Sequence, residues 1–221
     1  MKAPVCMTAL GLILVGLVGC HGVADERDYT IRGDFQDVRV ELSNGDLTIR
    51  AAEPGADAIE MRADVGGVGG GNAIERRMDG DTLVIDYRCG FCGGDVELIV
   101  PEQLPVDAWV KRGDLELDGL SAPVVAEVRT GAIQGYDLAS DTEIFANAGG
   151  IELTYRERPA RIDVESHVGG VVLEVPSGGY RLDTRGHLGA VRLVDVWDDA
   201  SAEEEIRVFT HAGGVEILGN R

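Results

Sequence analysis

One short stretch decides the fold: Ala148-Gly149-Gly150-Ile151-Glu152-Leu153. The same pattern returns as Val168-Gly169-Gly170-Val171-Val172-Leu173 and as Ala212-Gly213-Gly214-Val215-Glu216-Ile217. Each copy has an apolar residue, a glycine pair, and then two aliphatic residues that flank one further position. Because side chains point alternately to the two faces of a strand, this pattern predicts a strand with one buried face after each glycine corner.

Glycines at eight positions align as corners of this kind. They are Gly45, Gly94, Gly113, Gly131, Gly149, Gly169, Gly189 and Gly213. The last six are separated by 18, 18, 20, 20 and 24 residues. Self-similarity at a roughly constant period is typical of repeat architectures, in which neighbouring copies bury each other's apolar faces.

Aliphatic side chains recur at fixed positions around the corners. The second positions after the corners hold Leu47, Val96, Leu115, Ile133, Ile151, Val171, Val191 and Val215. The fifth positions before the last six corners hold Ala108, Ala126, Ile144, Val164, Thr184 and Val208. These sets predict two strands for each corner, with equal positions stacked into inner files.

We therefore predict an all-β fold, a parallel β-helix-like solenoid with coils of 18–24 residues. The alternative is an antiparallel β-sandwich. The solenoid is favoured because the copies resemble one another residue by residue, which sandwich strands need not do. A short helix is expected over Ala73–Met78. The residues after Ile217 show no capping element, so we expect the last coil to be open to solvent or covered by a partner.

The N-terminal segment has the features of an export signal. Lys2 precedes an uncharged apolar run from Val5 to Val18, which is too short for a membrane span. The run ends at Gly19-Cys20 and resembles the lipobox of bacterial lipoproteins; an ordinary secretory signal cut nearby is the alternative. The resemblance implies that Cys20 is acylated and becomes the first mature residue, and that the residue after it directs the protein to the outer membrane or cell surface.

This interpretation divides the chain into a lipoprotein signal peptide (1–19), a tether (20–34) and a β-solenoid domain (35–221). Removal of residues 1–19 leaves 19 basic and 39 acidic residues, a balance of −20. Such a chain is repelled by nucleic acid and by anionic lipid headgroups. The predicted link to the membrane is therefore the N-terminal lipid, and the predicted partner is a protein or a glycan.

Three loose motifs occur in order along the last two-thirds of the chain: Asp79-Gly80-Asp81-Thr82-Leu83-Val84-Ile85, Leu98-Ile99-Val100-Pro101, and serial corners such as Lys111-Arg112-Gly113-Asp114-Leu115-Glu116-Leu117. This order resembles a bacterial putative-adhesin domain family of unknown function and is similar to the auto-transporter-adhesin-like head domains. The resemblance implies a parallel β-helix-like stack in a secreted or lipid-anchored protein, without established chemistry. The later corners read Gly-Gly or Gly-Ala where the family has Gly-Asp.

Histidines occupy one repeat position in three coils. His167, His187 and His211 each lie two residues before their corner glycine. Stacked coils would place their imidazoles about 5 Å apart, which is close enough for two or three rings to share zinc or another divalent cation. Stacked imidazoles would also repel one another on protonation. The same column therefore fits a pH-responsive module as well as a metal-binding one. A surface ladder produced by the repeat itself is the simpler interpretation.

Cys89 and Cys92 are the thiols that remain once Cys20 is acylated and Cys6 is removed with the signal. In an oxidising compartment we expect them to form a disulfide. A thioredoxin-like redox pair is less favoured, because a strand and not a helix is predicted after them.

Motifs for enzymatic catalysis are absent from the sequence: it has neither a Gly-x-Ser-x-Gly elbow nor a phosphate-binding glycine loop. We therefore predict a non-enzymatic, lipid-anchored envelope protein whose adhesin-like solenoid is a binding surface. A metal-binding or pH-responsive module is the first alternative. A polysaccharide-active enzyme with paired carboxylates is the second.

Overall fold

The computed structural model describes residues 25–66, 73–88 and 93–220. These residues form strands, turns and bends without any helix, which confirms the all-β prediction. Accordingly, the described part of the chain offers no helix with the length and apolar character that a membrane span requires. The predicted lipid-attachment residue Cys20 and the pair Cys89 and Cys92 lie outside the described residues.

The described residues form twenty strands. In chain order they are β1 (Asp25–Ile31), β2 (Asp37–Leu42), β3 (Leu47–Ala51), β4 (Ile59–Gly66), β5 (Ala73–Asp79), β6 (Thr82–Arg88), β7 (Gly93–Val100), β8 (Val106–Val110), β9 (Leu115–Asp118), β10 (Val124–Thr130), β11 (Ile133–Leu138), β12 (Thr142–Ala148), β13 (Ile151–Tyr155), β14 (Arg161–Val168), β15 (Val171–Pro176), β16 (Gly178–Leu188), β17 (Val191–Val194), β18 (Val196–Asp198), β19 (Glu205–Ala212) and β20 (Val215–Asn220).

The strands form two mixed sheets of ten strands each within the described ranges. Sheet I has the order β1-β4-β7-β3-β9-β11-β13-β15-β20-β17, and sheet II has the order β18-β16-β19-β14-β12-β10-β8-β2-β6-β5. Neighbouring strands pair antiparallel in β1 with β4, in β4 with β7 and in β5 with β6, and the other pairs are parallel. Each glycine corner joins a strand of sheet II to a strand of sheet I, and one apolar core includes residues of both sheets.

The pairing registers place equal repeat positions side by side. In sheet I the second positions after the corners form one file, in the order Val96, Leu47, Leu115, Ile133, Ile151, Val171, Val215 and Val191. All of these are at most 3% exposed except Val191 at the end of the file. In sheet II the fifth positions before the corners pair in the same way, from Ala108 to Thr184. The predicted inner files are therefore confirmed.

The spatial order of the coils differs from their order in the sequence at both ends of the sheets. Strands β19 and β20 lie between the coil of β14 and β15 and the coil of β16 and β17. At the opposite end, β2 and β3 lie inside β6 and β7. The 24-residue spacing from Gly189 to Gly213 gives the chain the length it needs to cross the coil of β16 and β17. Strands β19 and β20 can then pair on the inner side of that coil. Thus the last coil in the sequence is covered, and the coil before it is at the end.

The corner glycines stack directly on one another. A Cβ added to Gly45, Gly113, Gly131, Gly149, Gly169, Gly189 or Gly213 would lie 1.8–2.1 Å from the carbonyl oxygen of the neighbouring corner glycine. No side chain fits at such a distance from rigid backbone, so the eight glycines aligned in the sequence mark where the chain of one coil touches the next. The corner glycines are therefore required by this close backbone approach.

Aspartates that follow the first corners connect those corners by hydrogen bonds. The Asp95 carboxylate accepts from the Asp46 amide at 3.1 Å, and the Asp46 carboxylate accepts from the Asp114 amide at 2.8 Å. Asp114 in turn accepts from the Ala132 amide at 2.7 Å. The ladder ends there because Ala132 has no carboxylate to continue it. The Gly-Asp corners thus have a structural role that the later Gly-Gly and Gly-Ala corners lack.

Two expectations about the N-terminal third are wrong. Residues 73–78 are part of strand β5 and not a helix, because the chain turns at Gly80 (φ +64°) and pairs β5 antiparallel with β6. The tether predicted over residues 20–34 does not include Asp25–Ile31, since these residues form strand β1, paired with β4. Tyr29 and Ile31 of β1 pack against the core, so the folded domain includes them.

Candidate functional site

Side chains at even positions before each corner project from the outer face of sheet II. Two of these files are of interest, the aromatic file and the histidine file. The aromatic file, at the fourth position before each corner, consists of Trp109, Glu127, Phe145, Glu165, Phe209 and Arg185 in strand order. The histidine file, at the second position before each corner, includes Arg129, Asn147, His167, His211 and His187. The two files run side by side across the sheet.

The three histidines predicted to form a column are in contact in the structure. The ring centroids of His167 and His211 are 5.0 Å apart at an interplanar angle of 80°. Those of His211 and His187 are 5.6 Å apart and nearly parallel, at 11°. His211 is the central ring because strand β19 lies between β14 and β16. Chain order alone would have placed His187 in the middle.

The ring nitrogens of His167 have polar neighbours in the surrounding protein. Nδ1 lies 3.1 Å from Oδ1 of Asn147, and Nε2 lies 3.3 Å from Oε1 of Glu165. Across the described ranges, no group of three or more His, Cys, Asp or Glu side chains is arranged to hold a metal ion. The structure therefore brings the three predicted residues together in one column, with one edge-to-face pair and one stacked pair of rings.

Phenylalanines of the aromatic file contact the histidines edge to face. Phe145 lies 5.2 Å from His167, and Phe209 lies 4.8 Å from His211, with interplanar angles of 86° and 88°. Such edge-to-face contacts are the favoured geometry of aromatic pairs. Phe145 and Phe209 are only partly buried. The result is a continuous patch of five partly exposed or exposed rings on one face of the protein.

Aromatic and acidic residues alternate along the aromatic file. Trp109, Phe145 and Phe209 are separated by the strands that carry Glu127 and Glu165. Strands in a sheet are about 4.8 Å apart, so successive aromatic rings are separated by roughly 10 Å. This regular spacing gives the face a row of apolar platforms with a carboxylate between each pair.

Open depressions adjoin both ends of the aromatic file. One, of about 360 Å³, is lined by Arg39, Glu41, Asp107 and Trp109. Arg39 Nε donates to Asp107 Oδ2 at 2.7 Å, and this hydrogen bond and charge raise the pKa of the Arg39 guanidinium. The polar groups of this depression are thus held beside the partly buried ring of Trp109.

The second depression, of about 170 Å³, adjoins Phe209. Its lining includes Asp163, Asp183, Arg185 and Arg207. Asp163 accepts from Arg207 at 3.1 Å and also from Arg161, and the Asp163 carboxylate raises the pKa of Arg161. Paired charges therefore border an aromatic ring at each end of the file, which is an arrangement suited to polar ligands with apolar faces.

Sequence analysis missed the aromatic residues of this face. Trp109, Phe145 and Phe209 stand at one repeat position, four residues before Gly113, Gly149 and Gly213. This shared repeat position is the feature of the sequence that could have identified the aromatic residues as one file. The histidine position was recognised because three adjacent coils in the sequence repeat the same residue, whereas the aromatic residues occupy alternate strands of the sheet.

Comparisons with known proteins show which folds are similar. No family model matches the chain, and no curated protein matches its sequence. The fold is similar to a putative cell adhesion protein from Clostridium sporogenes, with a TM-score of 0.54 and 11% identity over 90% of this chain and 100% of that one. It is also similar to a putative adhesin from Bacteroides fragilis, with a TM-score of 0.50 and 12% identity over 90% and 97% of the two chains. At these identities the likeness is one of fold.

Proposed function

We propose that this chain is a lipid-anchored protein of the bacterial cell envelope with an adhesin-like, non-enzymatic binding role. The fold supports this proposal through its likeness to two solved structures whose names describe adhesion. The observation that carries it is the row of partly exposed aromatic rings on sheet II, flanked by paired charges. We infer that this face is the binding surface.

We further infer that the two sheets are walls of a β-solenoid and not layers of a sandwich. Consecutive strands of each coil lie in different sheets, and each pairs in parallel with the equivalent strand of a neighbouring coil. Sandwiches are built mainly from antiparallel pairs within each sheet. The flat outer face of a solenoid wall gives side-chain files of constant spacing, which suits a ligand that is itself a linear repeat.

The ligand class that this face fits is an uncharged, extended polysaccharide. Sugar rings have an apolar face of C–H groups, which stacks on aromatic rings, and a rim of hydroxyls, which donate to carboxylates. A chain lying along the file would place rings on Trp109, Phe145 and Phe209 and hydroxyls near Glu127 and Glu165. The net charge of −19 disfavours anionic polymers.

Binding to insoluble cellulose and chitin tests this function. The full chain carrying Cys20→Ser, which removes the acylation site, is incubated with each polysaccharide, and the retained fraction is measured by sedimentation. We expect retention of the parent protein on at least one of the two. Trp109→Ala and Phe145→Ala should each weaken binding about tenfold, since loss of one stacking ring removes about 1.4 kcal/mol.

Tyr136→Ala is the matched control, because Tyr136 is an exposed aromatic residue on sheet I, 39% exposed. This variant should bind like the parent. Absence of retention on either polysaccharide would contradict the ligand class. Equal losses for Tyr136→Ala and Trp109→Ala would show that the sheet II face is not the binding surface.

The lipid anchor has its own test. Several acyl chains on Cys20 would hold the protein in a bilayer, because each buried methylene contributes about 0.8 kcal/mol. Cys20→Ser should therefore move the protein from the membrane fraction to the soluble fraction after cell lysis, as measured by immunoblot. Its persistence in the membrane fraction would contradict the lipoprotein assignment. The Cys89–Cys92 disulfide remains a prediction, which follows from the same exported location.

A further inference from the structure

The coil made of β16, β17 and β18 ends both sheets and leaves apolar side chains uncovered. Its exposed large apolar residues are Leu188 (73%), Val191 (42%), Leu193 (40%) and Trp197 (57%). In the neighbouring coil the equivalents of Val191 and Leu193 are Val215 and Ile217, which are 2% and 0% exposed. The inner apolar files of the domain are thus open to solvent at this end, which we call the open end.

The opposite end of the domain is closed. Its outermost strands are β1 and β5, which pair antiparallel with their neighbours and carry many charges. The Arg76 guanidinium of β5 lies 4.1 Å from the ring centroid of Tyr29 in β1, so the two sheets are bridged there. Charged side chains on edge strands disfavour edge-to-edge association where the charges that face each other are not complementary. At this end the exposed large apolar residue of an edge strand is Met78, whereas the open end has four such residues beside its strand edges.

Strand β16 presents a long edge at the open end. Strand β18 pairs with it only from Gly178 to Tyr180. From Arg181 to Leu188 no described strand lies beyond it, although its other edge pairs with β19. The Leu182 amide donates to Asp198 Oδ1 at 3.1 Å, and no described strand pairs with the outward backbone groups after it. Such an edge is a template for pairing with a second chain.

The charged side chains along this edge are complementary to those of the same edge in a second copy of the chain. Arg181, Asp183 and Arg185 alternate on the outer face of β16, and Arg185 donates to Asp183 of its own strand at 2.9 and 3.0 Å. Residues directly opposite in an antiparallel pair share a face of the sheet. When two copies of β16 pair about a two-fold axis at Thr184, Asp183 of each copy faces Arg185 of the other.

We propose that the open end binds the open end of a second copy of this chain, with the two β16 strands antiparallel and centred on Thr184. This interface is isologous, so it closes as a dimer and does not extend into a fibre. It forms two Asp183–Arg185 pairs between copies and covers the inner files that end at Val191 and Leu193. The two five-ring patches remain on the outer faces of the dimer.

This interface lies beyond the proposed binding role of sheet II, although Asp183 and Arg185 also line the second depression, beside Phe209. Strand β1 is at the closed end, so a lipid at Cys20 would be attached near that end. In a protein anchored as proposed above, the dimer places its two anchors at its far ends. Copies in two facing membranes would then bind each other, which is a mode of cell-to-cell adhesion; this last consequence alone rests on the proposed anchor.

Sedimentation equilibrium of the full chain carrying Cys20→Ser tests the dimer. We expect a reversible monomer–dimer equilibrium whose dissociation constant rises at least about tenfold in Asp183→Arg and in Arg185→Asp, because each places like charges opposite each other. The double variant Asp183→Arg/Arg185→Asp restores the opposite pairing and should return the dissociation constant to within about threefold of the parent.

Arg77→Asp, at the closed end, is the control and should leave the equilibrium unchanged. Circular dichroism melts check that each variant is folded, since Asp183 and Arg185 are exposed enough to be replaced without disturbing the core. A monomeric parent at all concentrations overturns the proposal, whether or not polysaccharide binding is found. Failure of the double variant to restore the dimer overturns the proposed register.

Discussion

Replacing Gly149 with alanine is expected to lower the free energy of unfolding by at least about 3 kcal/mol, whereas Gly150→Ala changes it by less than about 0.5 kcal/mol. A Cβ on Gly149 would lie 1.8 Å from the carbonyl oxygen of Gly131. A Cβ on Gly150 would lie 3.7 Å from its nearest neighbour, the carbonyl oxygen of Gly170, which is ordinary contact. The two glycines are adjacent, but only the first touches the next coil.

The clash at Gly149 is severe because both partners are backbone. A side chain at this distance from a flexible neighbour would be accommodated by rotation, but Gly131 is itself held against Gly113 by the same contact. Relief would require two coils to separate and break the parallel ladder between them. For a domain of this size a loss of about 3 kcal/mol lowers the melting temperature by roughly 6–12 °C.

Urea denaturation of the two alanine variants, followed by circular dichroism, measures this difference. Equal stability of Gly149→Ala and the parent would mean that the corner glycines are not in contact between coils. A loss in Gly150→Ala as large as that in Gly149→Ala would attribute the effect to glycine content and not to stacking.

The stacking itself could be predicted from the sequence. Corner glycines and inward aliphatic residues repeat because each coil must fit the backbone and the core of the next, so their positions are constrained in every copy. The alignment of Gly149 with Gly169, and of Ile151 with Val171, follows from that constraint. For the same reason the sequence predicted that the three histidines would form a column.

The spatial order of the coils could not be predicted in the same way. The inward residues of the last two coils are nearly interchangeable, since Val191 and Leu193 match Val215 and Ile217 in size and shape. Either coil would fit against Val171 and Leu173. The choice depends on the path of the connection after Val194, which contributes no repeat position and leaves no periodic signal.

The order of the coils also explains why the aromatic file was missed. In chain order Phe209 would lie three strands from Phe145, with Glu165 and Arg185 between them. In the structure β19 lies next to β14, so only Glu165 separates the two rings. The regular spacing that supports a polysaccharide site therefore exists only in the folded order.

Strand β1 was missed because its many charged residues are typical of a polar tether.

Hydroxyl burial distinguishes the two possible orders of the last coils. Val→Thr preserves side-chain shape but introduces a hydroxyl, which costs about 1–3 kcal/mol when it is buried without a partner. Val215 is 2% exposed between Val171 and Val191, whereas Val191 is 42% exposed at the open end. The same substitution at both positions is therefore expected to have different costs.

The difference in unfolding free energy between Val215→Thr and Val191→Thr, measured by urea denaturation, tests most directly that the coils stack in this order. The stacked structure predicts a loss of about 2 kcal/mol for Val215→Thr and less than about 0.5 kcal/mol for Val191→Thr. A larger loss at Val191 than at Val215 would place the coils in chain order and contradict both the order of the inner file and the position of the open end.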